Sequence, residues 1–87
     1  MDNKQKKVLG QIFAKPVRHN IKWKQIEHMF EALGADLSEG SHGHLKVELN
    51  GHIKNFSRPK HKELQHTEEV IALRHFLEEA GITPENF

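Results

Sequence analysis

Leu45, Val47 and Leu49 alternate with His44, Lys46 and Glu48, and the run ends directly in Asn50-Gly51. A period of two makes a strand with one apolar face and one polar face. Asn-Gly tolerates the positive φ angles of a type I′ turn, so it closes two-residue hairpins. The centre of the chain is thereby committed to antiparallel β-structure, with His52 to Ser57 as the return strand and Ile53 and Phe56 expected to turn inward. Upstream, Leu37 begins a shorter strand that breaks at Glu39-Gly40-Ser41. Downstream, Arg58-Pro59-Lys60-His61 should leave the sheet as a basic loop, because proline cannot donate to a ladder.

The flanks have helical spacing. Trp23, Ile26, Met29, Phe30 and Leu33 fall on one stripe, with Asn20 as expected N-cap and Gly34 placed to stop the helix. After Thr67, read as an N-cap, Val70, Leu73, Leu77 and Ala80 form a second stripe with Phe76 at its edge and Gly81 as the stop. A shorter helix is expected over residues 4–14, ended by Pro16. The fold class is therefore α+β, with two helices on one face of a three-stranded antiparallel sheet and an extra N-terminal helical segment. Ile26, Phe30, Leu33, Val47, Leu49, Val70, Leu73 and Leu77 are the expected core.

Eighty-seven residues suffice for one core and not for two. No cysteine is present, which removes disulfides and thiolate metal sites together. The N-terminal stretch MDNKQKKVLGQIFAK has no apolar run long enough for a signal peptide. No run reaches the roughly 20 apolar residues of a membrane span, so a soluble, cytoplasmic protein is expected. Charge is divided unevenly along the chain. Residues 42–62 hold five Lys/Arg against Glu48 alone, whereas residues 63–87 hold Arg74 against six acids. His42, His44, His52 and His61 also lie in the basic middle, which points to a polyanion on one face.

Several pieces occur in a particular order: the Trp23–Leu33 helix ending in Leu33-Gly34-Ala35, then Gly40-Ser41-His42 before the hairpin, then Pro59 and His61, then Glu79-Ala80-Gly81-Ile82. From about Ile21 to Ile82 this arrangement resembles the HicA family of bacterial toxins. The resemblance implies a double-stranded-RNA-binding-like fold and cleavage of messenger RNA, with a HicB antitoxin that covers the active site. It divides the chain into an N-terminal extension, residues 1–19, and a HicA-like domain, residues 20–83. It also implies that chemistry centres on the histidine just after Gly-Ser, here His42.

Metal-independent RNA cleavage requires a base for the 2′-hydroxyl, an acid for the 5′-oxygen and positive charge at the phosphate. Histidine suits either proton-transfer role near neutral pH. His42 is expected as the base and His44 as the acid, the two sharing a face if the strand starts early enough. Lys46, Arg58, Lys60 and His61 are the expected phosphate-binding residues, and no cofactor is expected. Two rival readings remain. One is a non-enzymatic RNA-binding module, since double-stranded RNA is read by shape and phosphate contacts. The other is a metal site, with His42 and His44 joined by His52 or His61. Single-strand binding by base stacking has little support, because only Phe56 among the aromatics lies in the basic third.

Overall fold

The computed structural model of the protein describes residues 3–16, 21–59 and 67–85. In chain order these form α1 (Asn3–Ile12), α2 (Trp23–Ala32), β1 (Asp36–Glu39), a tight turn at Ser41–Gly43, β2 (Leu45–Leu49), β3 (His52–Phe56) and α3 (Thr67–Glu79). The strands make one antiparallel sheet in the order β1-β2-β3. The fold is α+β, with helix, three strands and helix in the expected succession. Among the described residues, no helix is long and apolar enough to cross a membrane.

The hairpin sets the register. Asn50 and Gly51 take φ angles of 51° and 83°, the left-handed pair of a type I′ turn, so Leu49 faces His52 across the ladder. Leu45, Val47 and Leu49 are all buried, and their row continues through Leu37 on β1 and Phe56 on β3. Ile53, expected to turn inward, is 57% exposed. It stands three positions from Phe56, and a strand of period two cannot turn both to the same face. Phe56 takes the inner face because its ring completes a cluster, 6.1 Å from Phe30 and 5.6 Å from Phe76. Phe76 also meets Phe30 edge-on and is buried, so it belongs to the centre of the core rather than to its edge.

Helix ends follow the glycines. After α2, the Gly34 N–H donates to the Glu31 carbonyl and the Ala35 N–H to the Phe30 carbonyl. After α3, Gly81 donates to Glu78 and Ile82 to Leu77, the same double closure. The starts differ from expectation. Lys22, with no capping side chain, occupies the N-cap position of α2, because the helix begins at Trp23; Asn20 lies outside the described residues. Thr67, read as the cap of α3, is itself helical.

The core is also larger than the two expected stripes. Leu33 is only half-buried, but Ile21 and Ile82 are buried, and α1 adds Val8, Leu9 and Ile12. Arg74 of α3 reaches across to α1, donating from Nε to the Ile12 carbonyl at 3.1 Å and from Nη2 to the Ala14 carbonyl at 3.2 Å. These carbonyls end α1, where a cation is favoured by the helix dipole. Three helices, not two, therefore build one core, and α1 packs against α2 and α3.

Candidate functional site

With the apolar row turned toward the helices, the opposite row of the sheet faces outward. Ser38, Lys46, Glu48, Ile53 and Asn55 are all exposed there. The site lies at the end of this open face, where β1 turns into β2.

The turn itself is tight. The His44 N–H donates to the Ser41 carbonyl at 3.1 Å, and the Gly40 N–H to the His44 carbonyl at 2.7 Å. Its central residues are His42, at φ 58° and ψ 32°, and Gly43, at φ 76°. Two successive left-handed residues closed in this way make a second type I′ turn. Gly43 adopts its angle without cost, but His42 is a residue with a Cβ in a region that disfavours one. Gly40 answers a different demand. A Cβ there would meet Asn55 Oδ1 and the His44 carbonyl at 3.3 Å each, so only glycine fits without a shift of its neighbours. The Gly-Ser-His sequence is thus the chemistry of a turn that presents an exposed histidine at its tip.

Arg58 secures the turn. Its Nη1 and Nη2 donate to the two carboxylate oxygens of Glu39, each at 2.9 Å, and Nη1 also donates to the Gly43 carbonyl at 2.9 Å. Nε lies 3.7 Å from Glu27 Oε2 of α2. The bidentate guanidinium holds the Glu39 carboxyl below its ordinary range by hydrogen bonding and by its charge, and Glu39 in turn raises Arg58. Arg58 was expected to contact phosphate. Its donors are engaged by the end of β1, the turn and α2, so it braces the turn that carries His42.

The remaining expected residues divide clearly. His44 is half-buried, with Nε2 at 3.4 Å from Ser57 Oγ, a long contact. Lys46 stands two residues along on the open face. β2 begins only at Leu45, so strand alternation does not place His42 on that face; it stands exposed in the turn before the strand. Lys60 and His61 lie outside the described residues. Ser57 was missed, although the hairpin register contains it: with Leu49 opposite His52 and Leu45 opposite Phe56, the next pair outward is His44 and Ser57. Glu39 and Glu27 were missed because charge counting treats each cation as free.

The same register separates His52 from the candidate pair, whereas His61, the alternative third ligand, lies outside the described residues. His52 pairs with Leu49 at the far end of the hairpin, five residues from His44, which at about 3.3 Å per residue is roughly 16 Å. Among the described residues no three His, Asp or Glu side chains come together as a ligand set. No protein-family model, curated protein or solved structure matches this chain.

Proposed function

We propose that the protein is an RNA-cleaving toxin of the HicA type, with a double-stranded-RNA-binding-like fold, held inactive by a HicB-like antitoxin. The observation that carries this reading is His42, exposed at the tip of a clamped left-handed turn, two residues from His44, whose Nε2 lies 3.4 Å from Ser57 Oγ. Left-handed backbone at a residue with a Cβ persists where surrounding contacts impose it, and such positions cluster at active sites. Arg58 and Glu39 supply that imposition here.

In this reading RNA lies along the open face of the sheet. His42 takes the proton of a 2′-hydroxyl, and the freed oxygen attacks the adjacent phosphorus. The bond from phosphorus to the 5′-oxygen breaks, and His44 returns a proton to that oxygen. The products are a 2′,3′-cyclic phosphate and a 5′-hydroxyl, formed without a metal. Lys46 offsets the developing charge on the phosphate. Lys60 and His61, which follow β3 in the chain, add to the same basic set. Ile53 gives the face an exposed apolar centre on which an antitoxin can seat.

Purified protein incubated with structured RNA in excess chelator tests this. The expected result is cleavage with cyclic-phosphate ends, weakening as salt rises because phosphate contacts release counterions. Binding without cleavage would leave an RNA-binding module of the same architecture. Cleavage abolished by the chelator would replace the histidine mechanism with a metal one.

A further inference from the structure

A pocket lined by hydrogen-bond donors lies between α1 and α2. It encloses about 230 Å³ over Val8, and Lys4, Gln5, Gln25 and His28 complete its lining. Val8 is buried in the core, whereas Lys4, Gln25 and His28 are exposed. All four polar residues carry N–H donors, the histidine in either protonation state, and none is a carboxylate. The surroundings share that sign. Residues 3–28 hold seven Lys/Arg against Glu27 alone, and neither helix carries an acid in its first turn. The pocket also lies on the helix that flanks the His42 turn. At about 100° per residue, Gln25, His28, Lys24 and Glu27 follow one another around the outer side of α2. Glu27 stands 3.7 Å from Arg58, which in turn donates to Gly43 of the turn. Lys24, exposed, therefore lies between the pocket and the turn. Along α2, acid returns beyond His28 only at Glu31, one turn further on.

We propose that this pocket holds a phosphate of the RNA backbone, so that α1 and α2 anchor the RNA beside the turn where His42 acts. This rests on the RNA-cleaving reading above and adds a second point of attachment for the same partner. The lining fits an anion, because an ammonium, an imidazole and two amides donate and no carboxylate repels. The volume suits one phosphate group, being below the roughly 300–1,000 Å³ of pockets for larger ligands. A backbone is favoured over a free anion because cations recur outside the pocket, at Lys7 one turn along α1 and at Lys24 across α2. An acidic protein segment would meet the same donors. Phosphates, however, repeat along a strand and so use the whole run from Lys4 to Lys24. The anchor carries no base information, since phosphate contacts set register and orientation. The inner side of α1 completes the core, and its outer side thereby gains a use.

The probe is a hairpin RNA made with 2′-O-methyl riboses, which keeps the phosphates and lacks the attacking hydroxyl. Its affinity for the full chain is measured over a series of salt concentrations. Lys4→Gln should lower the slope of log affinity against log salt by about 0.7–0.9, the share of one phosphate contact, and weaken binding about 5–8-fold at about 0.1 M salt. Lys6→Gln removes the same charge from the same helix outside the pocket, and should change affinity less than about twofold. Gln25→Glu separates binding from folding. A carboxylate in the first turn of α2 suits the helix dipole, so the thermal midpoint should hold or rise while RNA binding falls at least as far as in Lys4→Gln. Equal losses in Lys4→Gln and Lys6→Gln would mean diffuse attraction, and full RNA affinity in Gln25→Glu would leave the pocket to an acidic protein segment. Either result overturns the phosphate anchor, and beside intact RNA cleavage it leaves the catalytic reading standing. The expected losses in a protein that cuts no RNA would overturn the catalytic reading and keep the anchor.

Discussion

His42 sits in the left-handed region at φ 58° and ψ 32°, where a residue bearing a Cβ costs roughly 1–2 kcal/mol. Replacing it by glycine relieves that strain but adds about 0.5–1 kcal/mol of backbone entropy to the unfolded chain. His42→Gly should therefore be as stable as the wild type, or up to about 1 kcal/mol more stable, in urea denaturation, while losing RNA cleavage. A destabilised His42→Gly would show that the imidazole itself holds the turn. His42→Val should go the other way, since a β-branched residue tolerates positive φ least. At this scale much was legible. The Gly-Ser-His run identifies a histidine at the start of the central strand, and the Asn-Gly turn fixes Ser57 opposite His44. The backbone angle of His42 was not legible, because it depends on closure by Arg58 and Glu39 from two other segments. Phe76 was misplaced for a related reason. One helix stripe cannot show that Phe30 and Phe56 converge on the same point.

Elements here are tied together at their ends. The Asn50 side chain donates to the Ala80 carbonyl at 2.7 Å, so the hairpin turn caps the C-terminus of α3. Asn50→Gly keeps the left-handed turn and removes that bond, and should cost about 0.5–1.5 kcal/mol by thermal or urea unfolding. Asn50→Ala loses both and should cost more. The Glu39–Arg58 pair ties β1 and the His42 turn to α2, and it is exposed, so its effect is local. Because the Glu39 carboxyl is held below its ordinary range, the clamp is complete above the usual carboxylate pKa and is lost as pH falls through the lowered value. Amide exchange in the Ser41–Gly43 turn, compared at matched intrinsic rates, should accelerate in that acid range and in Glu39→Gln at neutral pH. Exchange that is indifferent to both would mean the turn closes without the clamp. None of these ties was visible in the hydrophobic pattern, which records what is buried and not which polar side chain reaches which helix end.

The molecule is one core covered on one side by the sheet, and among the described residues the sheet's other side is open. Val8, Leu9 and Ile12 of α1 are almost fully buried in that core, and each buried aliphatic side chain contributes about 1.5–3 kcal/mol. Their sum is of the order of the 5–15 kcal/mol that stabilises a small domain. A chain lacking residues 1–16 should therefore be largely unfolded by circular dichroism, and Leu9→Ala should cost about 2–5 kcal/mol. A stable truncated domain would return α1 to the status of an appendage. With α1 so bound to the core, every layer of the structure supports the open face and the turn at its end. The proposal that His42 acts there on RNA is decided by single-turnover cleavage with His42→Ala beside wild type. The variant's rate should be lowered about 10²–10⁴-fold with RNA affinity and fold nearly unchanged, since a general base acts in the transition state. Undiminished cleavage by His42→Ala would contradict it.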